Sequence, residues 1–260
     1  MNILNDILSP QLVLLWLVAG GAAWVQTLTG FAFGLILMGV VGLFGLIPLP
    51  EAAIVASLLV IFNGIMVLRK DWRAIDRKGL GLLLLGSFPG LAIGYGLLLY
   101  LATSALSALA LILGALIVFA SLQMLGRPQP QSRRSGTASF IATGLAGGIM
   151  GGLFSTAGPP IIWQMYRQPF THIMVRSTLV SVFFLNAAAR LVLVLATTGI
   201  SSRIWLAAAG ALPMVWLGTF LAQKFPPPVP PTVLRRIAAG LLLASGLALC
   251  ATPLASLVGG

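Results

Sequence analysis

The stretch Phe154-Ser155-Thr156-Ala157-Gly158-Pro159-Pro160 lies in the middle of an apolar run, where an ordinary helix should continue. Gly158 lifts side-chain restraint on the backbone. Two successive prolines each remove an N–H donor and clash with the preceding turn. A helix is therefore predicted to stop or unwind here. Irregular backbone at membrane depth survives only where it is buried in protein or lines a wet cavity. A second, weaker interruption, Gln26-Thr27-Leu28-Thr29-Gly30-Phe31, occurs near the N-terminus. The two interruptions are expected to face each other and form one small-solute site.

Working outward, the composition fixes the class. Of 260 residues, 59% are hydrophobic and only 7% charged, and the mean hydropathy is +1.06. Several uncharged stretches are long enough to span a bilayer, which takes about 20 residues. The chain reads as an all-α polytopic membrane protein with 8–10 membrane segments. No secretory leader is expected, because the first basic residue is Arg69 and no charged segment precedes the apolar run. The net charge of +11 does not point to nucleic acid, since the charges sit in short loops where positive-inside bias places them. Cys250 is the lone cysteine, so neither a disulfide framework nor a thiolate metal site is expected.

Residues 11–47 form one long apolar unit that the Gln26–Gly30 interruption divides in two. Ala52–Leu68 is the next span, with Asn63 near its end, followed by the basic cluster Arg69–Lys78. Gly79–Leu101 and Ser104–Leu125 are two more spans, and Gly126–Gly136 is a basic, proline-containing linker. The pattern then recurs: a broken unit over Thr137–Trp163, a polar loop Arg167–Arg176, and spans at Ser177–Thr198, Ile204–Ala222 and Ile237–Pro253. Gly86-x-x-Pro89-x-x-x-x-Gly94 reappears as Gly210-x-x-Pro213-x-x-x-x-Gly218. Ser57 matches Ser181, Asn63 matches Asn186, and Gly30 matches Gly158. A duplication follows, with residues 1–125 as first repeat, 126–137 as cytoplasmic linker and 138–260 as second repeat. The small-residue faces such as Gly86–Gly94 suit close helix packing, within one chain or across a homodimer.

Charge sets the orientation. Parallel halves would put five of the fifteen basic residues on the wrong face, whereas inverted halves put thirteen inside, Arg203 alone outside and Arg190 in the membrane. Positive-inside bias favours two inverted repeats, each a broken hairpin plus three spans, with both termini outside the cytoplasmic membrane.

The chemistry is bounded by what is missing. The four carboxylates, Asp6, Glu51, Asp71 and Asp76, all fall at segment ends or in loops. This disfavours a proton relay, a carboxylate sodium site, paired-acid catalysis or a metal cage. No cofactor is expected. His172, the one histidine, reads as a loop residue beside Arg167 and Arg176. Trp24, Trp163 and Trp205 read as packing or interface aromatics. Arg190 is the most informative single residue: it lies mid-span with Asn186 four residues earlier on the same helical face. Burying it costs about 2.5–3.5 kcal/mol on the lenient insertion scale. It either snorkels to the outer interface or faces an anionic solute. Broken helices expose N-terminal amides that attract anions. The hydroxyls of Thr27, Thr29, Ser155 and Thr156 and the amides of Gln26 and Gln164 can donate to oxyanion oxygens. Gly30, Gly158 and Pro159 shape the breaks, and Asn63 is the first-half counterpart of Asn186. These same small polar residues would also serve simply as caps and packing contacts.

The glycine-rich approach Gly144, Gly147, Gly148, Gly151, Gly152 leading to Gly158-Pro159-Pro160 resembles the second-repeat signature of the TauE/SafE family. Gln26-Thr27-Leu28-Thr29-Gly30-Phe31-Ala32-Phe33-Gly34 is similar to the first-repeat signature. Ser155-Thr156-Ala157 departs from the glycine-rich residues usual before Gly-Pro-Pro. The resemblance implies movement of small sulfur-containing anions such as sulfite or sulfoacetate, chiefly as efflux. An anion leaving an inside-negative cell gains about 2.3 kcal/mol per charge per 100 mV, so no coupling carboxylate is needed. The leading expectation is thus an alternating-access carrier for small anions. The alternatives are an anion channel, an uptake permease for small organic acids, or a non-transporting membrane subunit.

Overall fold

In the computed structural model of the protein, the residues described are 9–126, 131–156, 158–227 and 231–258. Among them the chain is helical, without strands. Five helices, α1 (Pro10–Thr29), α2 (Phe33–Phe44), α3 (Leu49–Asp71), α4 (Arg77–Ser104) and α5 (Leu106–Leu125), precede the linker. Five follow it: α6 (Thr137–Phe154), α7 (Gly158–Tyr166), α8 (His172–Thr197), α9 (Ser202–Lys224) and α10 (Pro231–Val258). Each set reads as a long helix, a break, a short helix and three long helices. Helices α1, α3, α4, α5, α6, α8 and α9 are each long and apolar enough to cross a membrane.

Local chemistry sets the ends. Ser9 caps α1 by accepting from the Leu12 amide, and Pro10 occupies its first turn, where a missing N–H costs nothing. Glu51 lies in the first turn of α3, and Arg69 and Lys70 in its last, each complementing the helix dipole. Thr171 caps α8 through the Met174 amide. The polar loop therefore shrinks to Arg167–Thr171, and His172 and Arg176 belong to the helix. Pro89 and Pro213 sit inside uninterrupted helices, α4 and α9.

Packing across the two sets is reciprocal: α4 lies on α6 and α9 on α1, α3 on α8, and α5 on α10. The α4–α6 contact is backbone on backbone. Gly86, Gly90 and Gly94 lie against Ile141, Leu145 and Ile149, while Gly144, Gly148 and Gly152 lie against Leu83, Ser87 and Leu91. A Cβ at any of the six would strike main chain. The Gly86–Gly94 face is thus used within the chain. The counterpart contact places Gly20 on Met214, Gly218 on Gly20 and Gly210 on the Trp16 ring.

The basic loops gather at one end. Arg134 forks onto Asp76 at 2.8 and 3.2 Å, the Gln131 amide donates to the Arg167 carbonyl at 2.8 Å, and Arg176 pairs with Asp71. Arg134 also lies over the rings of Phe140 and Phe170, and Arg167 over Trp163. Gln223, at the end of α9, reaches the Met66 carbonyl near the same end. Arg203 stands at the opposite end, sharing a groove with Gln11 and Gly45.

Candidate functional site

The two breaks meet inside the bundle, but not as simple unwound prolines. Helix α6 ends where Ser155 turns left-handed (φ 56°), its N–H capping on the Gly151 carbonyl. Gly158, Pro159 and Pro160 then open α7. Prolines in a first turn lose no intrahelical bond and supply a preset φ. The Gly-Pro-Pro motif therefore starts a helix, and Ser155 makes the break. In the first half, Gly30 (φ 85°) caps α1 on the Gln26 carbonyl, and Ala32 (φ 84°) leads into α2. Left-handed backbone at a residue with a Cβ costs about 1–2 kcal/mol, and such strain clusters at functional sites.

Gly34, in the first turn of α2, lies directly on the second break: a Cβ there would come 2.8 Å from the Ser155 carbonyl oxygen and from Thr156 Cγ2. Around this contact is a small cavity with room for about one water molecule. Its walls include Gln26, the α2 start from Ala32 to Leu35, and Ser155, Thr156 and Gly158, with Val60 and Phe183 closing the sides. First-turn amides have no carbonyl partner within their own helix; in α7 Pro159 and Pro160 carry no N–H, which leaves that of Gly158. The positive ends of α2 and α7 thus converge on one space.

The polar side chains around the first break form a neutral network. Gln26 Nε2 donates to Asn63 Oδ1 at 2.9 Å. Asn63 Nδ2 in turn donates to Thr27 Oγ1 at 3.1 Å and to Thr219 Oγ1 at 2.7 Å. Thr27 and Thr219 pass their protons to the Ala23 and Val215 carbonyls. All four residues are buried.

The second half is charged. Arg190 is fully buried, at 0% exposure, so the snorkelling alternative does not hold. Its Nε donates to the Gly152 carbonyl at 3.2 Å, Nη1 approaches Ser57 Oγ at 3.5 Å, and the guanidinium lies 5.6 Å from the Tyr95 ring centroid. Ser57 is joined to Ser155 at 2.9 Å, so the charge reaches the cavity wall through one hydroxyl pair. Among the described residues the ion pairs are Arg134–Asp76 and Arg176–Asp71; Arg190 has no carboxylate. Asn186 donates to Ser87 Oγ at 3.1 Å and to the Val182 carbonyl at 2.9 Å. A smaller cavity, bounded by Asn186, Ser155, Phe183, Gly151 and Ala187, adjoins the first.

Of the residues expected to form the site, Gln26, Ser155, Thr156 and Gly158 line the main cavity and Asn186 the smaller one. Thr27 and Asn63 support Gln26 from behind. Thr29 turns its hydroxyl to the Val25 and Phe31 carbonyls. Gly30 packs under the Arg176 backbone, and Arg176 also donates to the Thr27 carbonyl at 3.1 Å. Pro159 is buried in α7 off the cavity wall, and Gln164 bonds to Ser139 instead. Sequence reasoning missed Ser57 as a site residue, although its match to Ser181 was visible. It also missed Ser87, Tyr95 and Phe183, which carry no local signal.

The family described as Sulfite exporter TauE/SafE matches residues 14–249. A Cupriavidus necator protein named "Probable sulfite/organosulfonate exporter TauE" is 36% identical over 249 residues, covering 94% of this chain and 95% of its own. A Comamonas testosteroni protein named "Probable inner membrane transporter protein TsaS" is 31% identical over 186 residues, covering 69% of this chain and 74% of its own. No solved structure matches the chain. With the family match running through both breaks, this protein belongs to the TauE/SafE sulfite exporter family and is a multi-pass membrane transporter, not an enzyme.

Proposed function

We propose that the protein exports sulfite or small organosulfonates across the cytoplasmic membrane by alternating access, with the substrate held between the two breaks. The observation that carries this reading is Arg190: a fully buried cation with no carboxylate partner among the described residues, one hydroxyl pair from the cavity. An unpaired charge in that position is expensive unless an anion offsets it for part of the cycle. The converging N-termini of α2 and α7 favour the same sign of solute. The relative from Cupriavidus necator, named as an exporter of sulfite and organosulfonates, supports the substrate class.

The two helix sets act as inverted repeats in this reading. The gathered basic loops face the cytoplasm, Arg203 and both termini face outward, and each broken hairpin enters from its own side. Rocking of one set against the other would expose the cavity alternately to the two faces.

The direct test is efflux from proteoliposomes loaded with sulfite or sulfoacetate under an imposed potential. An inside-negative potential should speed release, following the driving force of about 2.3 kcal/mol per charge per 100 mV. Release that ignores both the potential and the anion supplied would remove the proposal. Currents at channel rates would replace the carrier with a pore.

A further inference from the structure

We propose that the smaller cavity is a subsite for a hydrogen-bond donor on the transported anion. The preferred substrate is then a small sulfonate or sulfite-type anion that also carries a hydroxyl, an ammonium or an acidic proton. This rests on the anion-transport reading and specifies its substrate class.

The reason lies in where the protons are. Asn186 is 3% exposed, and its Nδ2 faces the Val182 carbonyl at 2.9 Å. A carbonyl can only accept, so the NH₂ end of the amide must be the end that faces it. Ser87 Oγ, at 3.1 Å, receives the other N–H. This fixes Oδ1 as the free end, and it is buried without a partner among the described residues, beside the cavity. Ser155 borders the same cavity, with its Oγ 2.9 Å from Ser57 Oγ, a contact in which either hydroxyl can donate. The remaining wall, Gly151, Phe183 and Ala187, adds no side-chain donor.

An oxyanion oxygen placed against Asn186 would meet the lone pairs of Oδ1. A bare metal cation would sit close to Arg190, which approaches Ser57 at 3.5 Å with no carboxylate among the described residues to offset it. A donor attached to an anion satisfies both constraints. Its charged end stays at the first-turn amides of α2 and the Gly158 N–H, in reach of the Arg190 field, and its donor reaches Asn186 Oδ1. Sites built to bond a hydroxyl discriminate strongly against the analogue that lacks it, because their own buried groups are left unpaired.

The test compares isethionate with ethanesulfonate, which have the same charge and differ by one hydroxyl. Binding to the detergent-purified full chain is measured by calorimetry and by thermal stabilisation. Isethionate is expected to bind at least tenfold more tightly, and an Asn186→Leu variant should lose that preference mainly by weakening isethionate. Equal affinity for the two in the unmodified protein would overturn the subsite while leaving anion transport standing; this arm does not depend on the variant folding. Preference retained in a folded Asn186→Leu protein would likewise overturn it. Binding of neither compound, nor of sulfite, would remove the anion reading and the subsite together.

Discussion

The first and second breaks use the same backbone device and surround it with different chemistry. Each ends a long helix on a left-handed residue, Gly30 or Ser155, and restarts a short helix whose N-terminus points into the shared cavity. Around the first, Gln26, Asn63, Thr27 and Thr219 satisfy one another and carry no charge. Around the second, Arg190 has no counter-ion among the described residues and Asn186 has an idle acceptor. A fully satisfied buried network rigidifies, whereas an unpaired buried group stays costly until something pairs it. The first break is thus an anchor and the second a receptor, although the folds around them match.

The largest effect should come from removing the charge. Arg190→Met is expected to cut sulfite flux and binding at least a hundredfold, equivalent to about 2.7 kcal/mol. The thermal stability of the unliganded protein should be unchanged or higher, because an unpaired buried charge has been replaced by apolar volume. Asn63→Leu is the mirror experiment. It strands the donors and acceptors of Gln26 and Thr219, at about 1–3 kcal/mol per orphaned group. Stability should therefore fall while the affinity of the folded fraction changes little. Both traits falling together in Arg190→Met, with anion affinity collapsing in Asn63→Leu, would erase the distinction between the breaks.

A smaller but sharper effect is expected where the two breaks touch. Gly34→Ala would drive a Cβ to 2.8 Å from the Ser155 carbonyl oxygen and from Thr156 Cγ2. The hairpins must separate to admit it, which widens the cavity and misplaces the amides of α2. Gly158→Ala is the control. Its nearest neighbour is the end of the Ile162 side chain at 3.3 Å, which can swing away. Flux measured on the two variants should fall about tenfold or more for the first and little for the second. Equal losses would mean that the cavity tolerates no change in size and that break-to-break contact has no special part.

The organisation of these breaks was partly legible in the sequence. Hydropathy and the Gly/Pro positions gave both interruptions and the spans around them, and the basic loops showed which segment ends belong together. The spacing of Asn186 and Arg190 put them on one helical face. Their fate was not legible, because distance to the interface does not say whether a helix face meets lipid or protein. The helix does stop within Phe154–Pro160, but it restarts at Gly158, because proline forbids a helix interior and suits a first turn. Arg176 looked like a loop residue because the cap at Thr171 is a matter of side-chain direction. The contact of Ser155 with Ser57, about a hundred residues away in sequence, has no local pattern that encodes it.

The smallest effects should separate strain from chemistry at the two left-handed residues. Ala32 and Ser155 both hold a positive φ that glycine would adopt freely. Ala32→Gly removes a cavity-wall methyl with no polar function and is expected to stabilise the protein by up to about 1 kcal/mol, with the preference for isethionate over ethanesulfonate intact. Ser155→Gly relieves the same strain but deletes the hydroxyl that links Ser57 to the cavity. Stability should rise or hold, while the preference for isethionate over ethanesulfonate narrows. The pair is informative because backbone relief is common to both variants, so any difference between them belongs to one hydroxyl. If Ser155→Gly behaved in every assay like Ala32→Gly, Ser155 would be a strained hinge only, and the two breaks would differ by Arg190 and Asn186 alone.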